Sequence, residues 1–455
     1  MRPERPASPG QFANALSAVP GMVWPAVGSD QSAHLTSLLF QFEQSQWFSP
    51  ARLRELQVHQ LRLVLRHARD TVPYYANLLR DIDLRQLELN DFTRLPLLSR
   101  VELQQGFDAL SSRHPPAVHG LVTDGQSSGS TGMPVRYRGT AVTKLFWEAL
   151  TLREHLWHHR DFGGRLAAIR VTVDEGYLPA WGLPAAQVFR TGPAMTLNAE
   201  SDIPVQLEWL QRQLPDYLIT HPSNLGALAE LSIEKGIRLP GLRETRTSGE
   251  IVTAELRQRV RQAWGVPVTD MYSAAELGAM AFQCPDHEHY HVQSENLIVE
   301  VLHPDGTACG PGETGEVAVT TLHNFAMPLI RYRIGDFAEV GEACPCGRGL
   351  PVLRRIHGRQ RNMITLPNGQ RHWPSFPAAL WRKVAPVQQF QLVQHRLDEI
   401  EARYVMSRDL DAEELQQLES ALRERLRFPH RIRFVRVAVI ERGASHKFED
   451  FISLL

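Results

Sequence analysis

The spacing of apolar residues predicts helices in the first third of the chain. Between Ser49 and about Leu89, apolar side chains recur three and four residues apart after a Ser-Pro start. This is the pattern of one amphipathic helix, or of two helices divided at Val72-Pro73. The segment AVTKLFWEALTLREHLWHH, which follows a Gly/Ser loop, is typical of a further helix.

The pattern changes twice along the rest of the chain. Residues 165 to 320 alternate apolar runs such as LAAIRVTV with helical segments such as AELRQRVRQAW, which favours an α/β layered domain with a largely parallel sheet. After about Gly358 the chain predicts two strands in FQLVQHRLDEIEARYVM, a capped helix beginning near Asp411, and a strand in RIRFVRVAVI. We therefore expect a large multi-layer α/β domain over residues 1–357 and a small α+β domain over residues 358–455.

Composition excludes several classes of function. The 455 residues include 49 Lys and Arg and 50 Asp and Glu, so net charge provides no general attraction to nucleic acid or to an anionic membrane. The longest uncharged stretch, Pro6–Ser29, is interrupted by prolines and predicts neither a membrane span nor a signal peptide. Four cysteines are too few for a disulfide scaffold and suit a reducing compartment, so we expect a cytoplasmic protein.

The segment Ser127-Ser128-Gly129-Ser130-Thr131-Gly132-Met133-Pro134 is a candidate phosphate-binding loop. Small residues in series allow backbone N–H groups to converge on an anion, and the hydroxyl groups add further donors. The segment does not match the Walker pattern. A flexible Ser/Gly linker has a similar composition and remains the alternative on this segment alone.

Four further motifs follow this loop in order. They are Thr247-Ser248-Gly249-Glu250 leading into DMYSAAELG (270–278), RYRIGDF (331–337), IHGRQRN (356–362) and ERGASHKFEDF (441–451). With QSQWFSPARLRELQ and HARDTVPYY near the start, their order resembles the adenylate-forming superfamily of acyl-CoA ligases, peptide-synthetase adenylation domains and luciferases. Within that superfamily the chain is most similar to the phenylacetate-CoA ligase and CapK-like branch.

The resemblance implies a role for each motif. A carboxylate that attacks the α-phosphate of ATP needs its charge repulsion cancelled, which the resemblance assigns to Glu276 as the Mg²⁺ ligand, to Thr131 in the loop, and to Lys447 on a mobile C-terminal lid. The residues implied to bind the nucleotide are Ser127, Ser128, Gly129, Ser130, Gly132, Ser248, Gly249, Glu250, Tyr272, Ser273, Asp336 and Arg359. Tyr272 is expected to flank the adenine, and Asp336 to accept hydrogen bonds from the ribose.

Two departures from the family pattern concern the acyl acceptor. The hinge reads Gly358-Arg359-Gln360-Arg361-Asn362, with Arg361 where the family has an acid, and TLPNGQRHWP replaces the glycine-rich stretch that follows it. We therefore expect a carrier-protein thiol to be at least as good an acceptor as CoA. In the closing motif, which the resemblance assigns to the lid, Gly443 stands four residues before Lys447 rather than three or fewer.

The cysteines and histidines suggest a zinc site. Cys284 precedes His287, His289 and His291, and Cys344 and Cys346 form a Cys-Pro-Cys-Gly turn about 55 residues later. Either His287, at the common short spacing, or His291, at the spacing that the family shows, could complete the site. Buried free thiols are the alternative.

These observations predict an ATP-dependent, AMP-forming ligase that joins a small, aryl or arylalkyl carboxylic acid to a thiol. The acid is expected near His221, Pro222 and Ser223. Two other functions remain open. One is an adenylyltransferase that leaves AMP on its substrate, and the other is an inactive nucleotide-binding or zinc-scaffolded interaction protein.

Overall fold

The computed structural model describes residues 14–127, 134–171, 173–359, 362–374, 376, 378–426, 428–440 and 449–455. These residues form two compact units. The first comprises the described residues up to Ile334 together with Ala338–Ile356, and the second comprises Gly335–Phe337 and the described residues from His357 onward. No helix in these ranges is both long enough and apolar enough to cross a membrane.

The helices confirm the predicted periodicity. They are α1 (Asp30–Ser45), α2 (Pro50–Thr71), α3 (Pro73–Leu78), α4 (Leu89–Phe92), α5 (Arg100–Gln105), α6 (Phe107–Leu110), α7 (Ala141–Trp157), α8 (Ala185–Val188), α9 (Ile203–Gln213), α10 (Pro222–Lys235), α11 (Ala254–Trp264), α12 (Ala378–Arg382) and α13 (Ala412–Leu426). Ser49 caps α2 by accepting a hydrogen bond from the N–H of Arg52 at 3.3 Å. The break between α2 and α3 falls at Val72, whose backbone is extended because proline follows it.

The strands are β1 (Val122–Gln126), β2 (Arg136–Thr140), β3 (Leu166–Arg170), β4 (Gly176–Leu178), β5 (Ala194–Asn198), β6 (Tyr217–Ile219), β7 (Glu244–Ser248), β8 (Val268–Ala274), β9 (Gly278–Gln283), β10 (Tyr290–Val292), β11 (Leu297–Leu302), β12 (Thr314–Thr321), β13 (Tyr332–Val340), β14 (Val352–Arg359), β15 (Ile364–Thr365), β16 (Arg371–His372), β17 (Gln389–Arg396), β18 (Glu399–Val405), β19 (Arg431–Arg436) and β20 (Phe451–Ser453). Strands β1 and β2 form a separate antiparallel hairpin, and so do β15 and β16.

Twelve strands form the main sheet, in the order β11-β12-β13-β14-β10-β9-β8-β7-β6-β3-β5-β4. Strands β5, β3, β6, β7 and β8 run parallel to one another. The expectation of a largely parallel sheet was wrong for the remainder, because β4, β9, β10 and the β11–β12 pair join antiparallel. The cause is local: a short turn between β8 and β9 can connect only antiparallel neighbours.

Helices cover both faces of the parallel part of this sheet. Leu166, Tyr217 and Ile219 pack with α1, α7 and α8 on one face. The alternate residues Ala167 and Leu218 pack with α9, α10 and α11 on the other. Alternation along each strand therefore produces the layered α/β arrangement that the sequence predicted.

The second unit has its own sheet and core. Its four strands have the order β19-β18-β17-β20, with β17 and β18 antiparallel and both outer pairs parallel. Helix α13 begins as predicted, because Asp411 accepts from the N–H of Glu414 and Glu414 accepts from the N–H of Asp411, each at 2.9 Å. Leu418, Leu422 and Leu426 of this helix are buried in the core of the unit.

Candidate active site

Only the first residue of the predicted phosphate loop lies in the described part of the chain. Ser127 follows β1, donates its N–H to the carbonyl of Val135 at 2.8 Å, and accepts from the N–H of Val135 on its hydroxyl at 2.8 Å. Ser127 therefore closes the end of the hairpin next to the loop. The predicted residues Ser128, Gly129, Ser130, Thr131, Gly132 and Lys447 lie outside the described residues.

The carboxyl ends of the parallel strands bring the other motifs of the first unit together. Ile219 pairs with Arg246, and Ser248 pairs with Met271, so the segments after β6 and β7 lie side by side next to the end of β8. This edge of a parallel sheet is where ligands bind in open α/β folds.

The predicted acid and nucleotide motifs touch at this edge. The Nδ1 atom of His221 lies 3.1 Å from the carbonyl oxygen of Ser248. The carboxylate of Glu250 accepts from the backbone N–H of Ser223 at 2.8 Å and from its hydroxyl at 3.1 Å. Gly249, between Ser248 and Glu250, has φ of +85°, which permits the sharp turn into this contact.

This contact also explains how helix α10 is capped. His221 is the N-cap residue but its side chain makes no capping bond, and Pro222 occupies the first turn. The carboxylate of Glu250 supplies the missing acceptor from another segment, where the helix dipole favours a negative charge. Glu250 is therefore a helix-capping residue in addition to any contact with the nucleotide.

Glu276 lies in the short connection between β8 and β9 and is buried. Its Oε1 atom accepts from the hydroxyl of Tyr332 at 3.3 Å and lies 3.6 Å from Nη1 of Arg100. The same Arg100 nitrogen donates to the Tyr332 hydroxyl at 3.3 Å. Burial, followed by the negative charge of Glu276, raises the pKa of Tyr332, so the phenol stays protonated and donates to the carboxylate.

Arg100 and Tyr332 were not predicted as site residues. Tyr332 lies inside the motif RYRIGDF, where only Asp336 had been singled out. Arg100 is the first residue of helix α5, after the N-cap Ser99, which forms a capping box with Glu102. The capping box predicts the start of a helix, but it does not predict that Arg100 contacts Glu276.

Tyr272 and Ser273 belong to β8 beside the same turn. Tyr272 is buried in the hydrophobic core that also contains Leu277 and Met280, whereas Ser273 is partly exposed. A bulge between Tyr272 and Ser273 shifts the register against β9. The expected contact between Tyr272 and adenine stays a prediction.

Asp336 and Arg359 meet in the second unit. The Nε atom of Arg359 lies 3.5 Å from Oδ1 of Asp336, and both side chains are mostly buried. Gly335 and Gly358, which precede them, each have φ of +85°. The Nη1 atom of Arg359 is buried without a hydrogen-bond partner among the described residues, which leaves a donor available to a polar ligand.

The predicted thiols form a compact cluster with His291. The Sγ atoms of Cys284 and Cys344 are 3.8 Å apart, and the Sγ atom of Cys346 lies 3.4 Å from Nε2 of the fully buried His291. Hydrogen bonds from Cys284 and His291 lower the pKa of Cys346, while burial raises the pKa of Cys344. The cluster thus favours one thiolate.

Of the two predicted histidines, His291 lies beside the thiols, and which histidine completes a metal site stays a prediction. His287 is exposed and stacks on His289, with ring centroids 5.1 Å apart. His289, which the sequence analysis did not select, lies with His291, Cys284 and Cys344 in a group whose ligand atoms are all within 4.8 Å of one another. The only feature of the sequence that points to His289 as a ligand is its position shortly after Cys284.

The chain is similar to known proteins in sequence and in structure. No family model matches the chain. The phenylacetate-coenzyme A ligase of Thermus thermophilus is 26% identical over 382 residues, covering 78% of this chain and 82% of the relative. The enzymes of the same name from Pseudomonas putida and Escherichia coli are each 27% identical, covering 74% and 69% of this chain and 76% and 72% of those relatives.

The solved structures show the fold. A 2-hydroxyisobutyryl-CoA ligase in its postadenylation state matches with a TM-score of 0.71 at 20% identity, covering 90% of this chain and 91% of that one. An anthranilate CoA ligase bound to anthranoyl-AMP matches with a TM-score of 0.53 at 18% identity, covering 71% and 64%. The chain therefore has the fold of adenylate-forming ligases with a C-terminal domain. Its sequence relatives are phenylacetate-CoA ligases, so the resemblance stated from the motifs is confirmed.

Proposed function

We propose that this protein is an ATP-dependent, AMP-forming ligase that activates a carboxylic acid as an acyl-adenylate and transfers the acyl group to a thiol. The observation that carries the proposal is the similarity to phenylacetate-CoA ligases over 69% to 78% of the chain. The contact of the predicted acid segment with the predicted nucleotide segment, Ser223 to Glu250, supports it.

Glu276 fits the role of Mg²⁺ ligand. Its hydrogen bond to Tyr332 and its approach to Arg100 use Oε1, which leaves Oε2 without a hydrogen bond to the described residues. Mg²⁺ bound there would neutralise charge on the phosphates of ATP. Tyr332 and Arg100 hold the carboxylate in position, and Ser127 anchors the base of the loop that the resemblance assigns to the phosphates.

The resemblance assigns the residues that bind the ribose and the kind of thiol that accepts the acyl group. Asp336 can accept from hydroxyl groups while Arg359 offers its free Nη1 to a phosphate. We propose an aryl or arylalkyl acid beside His221 and Ser223, and a lid that carries Lys447 in a small domain beginning at residue 358. The names of the relatives support CoA as the acyl acceptor. Because the hinge sequence departs from the family pattern, we propose the phosphopantetheine thiol of a carrier protein as the alternative acceptor.

Exchange of labelled pyrophosphate into ATP tests the first half-reaction. We expect exchange that depends on Mg²⁺ and on an acid from a panel of benzoates, phenylacetates and medium-chain acids. Adding CoA or a loaded carrier protein should then release AMP and form a thioester. An AMP-bearing product after full turnover would identify an adenylyltransferase instead. Nucleotide binding without exchange for any acid would identify an inactive binding protein.

We also propose a structural zinc ion bound by Cys284, Cys344, Cys346 and His291. Zn–S bonds of about 2.3 Å in a tetrahedron separate two sulfurs by about 3.8 Å, and a sulfur and a nitrogen by about 3.5 Å. The observed separations of 3.8 Å and 3.4 Å fit these two edges. Cys284, Cys344 and His291 also belong to the group of mutually close ligand atoms in which His289 takes the place of Cys346. Four protein ligands leave no open position, so the metal would tie the segment after β9 to the segment after β13 rather than act on substrate.

Metal analysis of protein purified without chelator tests this site. We expect about one zinc per chain, on the basis of the closed four-ligand set. Cys344→Ser should lose the metal and melt at a lower temperature, whereas Cys309→Ser, outside the cluster, should keep it. Metal-free protein with unchanged melting and full activity would leave the cysteines as buried thiols.

A further inference from the structure

Arg170 ends strand β3 at the same edge of the sheet as the candidate acid site. The register places Ala168, Ile219 and Arg246 level on the adjacent strands β3, β6 and β7. Alternate residues share a face, so Arg170 lies one step further toward the carboxyl edge, on the face of Ile219 and Arg246. The pairing of β3 with β6 ends at Ala168 and Ile219, and Arg170 and His221, at the predicted acid site, each follow two residues later.

The neighbouring charges on this face balance one another. Arg160 donates to both oxygens of Glu154 at 2.6 Å and to Glu244 at 2.5 Å, and Arg246 lies 2.9 Å from Glu154. Burial and the charges of Arg160 and Arg246 lower the pKa of His155, so this histidine stays neutral. Two arginines are thus matched by two glutamates.

Arg170 is left without a counter-charge. Among the described residues its side chain makes no ion pair and no hydrogen bond, although its backbone carbonyl accepts from the N–H of Ala199 at 3.1 Å. The loop acids Asp174 and Glu175 are both exposed and make no ion pair with it. Arg170 is exposed to solvent, and the protein around its guanidinium, together with the charge of Arg246, lowers its pKa. An exposed guanidinium without a carboxylate partner is free to bind an anionic group of a ligand.

The reacting carboxylate is not that anion. Glu276, beside which the chemistry is proposed, follows β8, and β8 is separated from β3 by β7 and β6. Three strand spacings of about 4.8 Å place the two strands about 14 Å apart, so a ligand reaching both ends must extend across the site. The distal end of the acid is the part that can meet Arg170.

Resting on the proposed function, we infer that the acid substrate carries a second anionic group, a carboxylate or an equivalent, and that Arg170 binds it. The preferred substrates are then dicarboxylic acids or carboxylated aromatic acids, rather than arylalkyl monoanions such as the phenylacetate in the relatives' name.

Acids matched in pairs test this inference in the pyrophosphate exchange assay. The pairs are phenylacetate with 4-carboxyphenylacetate, benzoate with terephthalate, and hexanoate with adipate; 4-sulfophenylacetate fixes which end reacts. For at least one pair, we expect the full-length wild-type protein to prefer the dianion by about tenfold or more in kcat/KM. Arg170→Met should remove that preference, mainly through KM, while activity toward the monoanion stays within about threefold. Arg170→Lys should restore part of it.

Arg212→Met, on an exposed position of α9, is the matched control and should keep the preference. Equal or better activity with every monoanion, or an equal loss for both members of a pair in Arg170→Met, overturns the inference while the ligase function stands. Absence of exchange with every acid overturns the ligase function itself, and this inference with it.

Discussion

At the scale of single residues, Glu250 has one role that the structure shows and a second that the motif predicts. The motif assigns it to the border of the nucleotide site, yet its carboxylate accepts both donors of Ser223 at the start of α10. An acceptor at the first turn of a helix satisfies N–H groups that have no partner within the helix. A loss of activity on mutating Glu250 therefore has two explanations, which stability measurements separate.

We predict that Glu250→Ala lowers the free energy of unfolding by about 1–2 kcal/mol, because it removes the cap of α10. Denaturant unfolding of the variant and of Glu208→Ala, an exposed position on α9, measures the difference. Unchanged stability together with a raised KM for ATP would show that Glu250 acts on the nucleotide alone.

For Glu276, in contrast to Glu250, we expect the negative charge to matter for activity more than packing matters for stability. Glu276→Gln keeps the shape and the acceptor for Tyr332 but removes the charge proposed to hold Mg²⁺. We predict that pyrophosphate exchange falls by about 10²- to 10³-fold and that more Mg²⁺ is needed, with little change in melting temperature.

Tyr332→Phe is the matched comparison, since it removes the hydroxyl and leaves the carboxylate. Its exchange rate should fall far less than that of Glu276→Gln. The role of Glu276 as metal ligand would be contradicted by equal losses in the two variants, or by an Mg²⁺ dependence identical to that of the wild type.

At the scale of elements, a buried ionic network joins the segment after α7 to strands β7 and β8. Arg160 donates to Glu154, to Glu244 and, at 3.2 Å, to Thr269. A cavity of about 10 Å³, the room of about one water molecule, adjoins this network between Trp181, Tyr217 and Ile219. Burial opposes ionisation of Glu154, but the charges of Arg160 and Arg246 outweigh it and hold its pKa well below the usual range.

We predict that Arg160→Met destabilises the protein by about 3–5 kcal/mol, because two carboxylates stay buried without their partner. In the wild type, the lowered pKa of Glu154 contributes stability above the pKa of an unfolded glutamate, and that contribution is lost as the pH falls through the folded value. In the variant the carboxyl groups should protonate more readily, so its deficit should shrink between about pH 7 and about pH 5. Urea unfolding at both pH values, with exposed Arg165→Met as control, measures this; a pH-independent deficit would contradict it.

At the scale of the whole molecule, measuring the two proposed half-reactions separately tests the role predicted for the C-terminal segment. Lys447 lies outside the described residues and remains the predicted lid lysine. We predict that Lys447→Ala slows adenylate formation by about two orders of magnitude or more, while thiolysis of a supplied acyl-adenylate is much less affected. The reason is that its charge is needed only where the carboxylate meets the α-phosphate.

Rapid-quench measurement of each half-reaction tests this prediction. Lys383→Ala, at another of the four lysines of the chain, is the control and should leave both steps unchanged. Equal losses of adenylation and thiolysis in Lys447→Ala would indicate a structural role for the residue.

Much of the architecture could be predicted because its signals are local. The start of α2 at Ser49, the break at Pro73 and the capping box at Asp411 each depend on partners within four residues along the chain. The extent of the parallel sheet was less predictable, since the antiparallel strands that follow β8 have the same apolar composition as parallel ones.

The sequence by itself determined the class of protein and most of the residues to examine, because the motifs keep their order and each contains its own chemistry. Only the tertiary structure decided which side chains meet. Strand pairing placed His291 rather than His287 beside the thiols, and the packing of α5 brought Arg100 to Glu276. The physical reason is that these contacts join segments far apart in sequence, and their geometry depends on the strand pairing and packing of the whole sheet rather than on neighbouring residues.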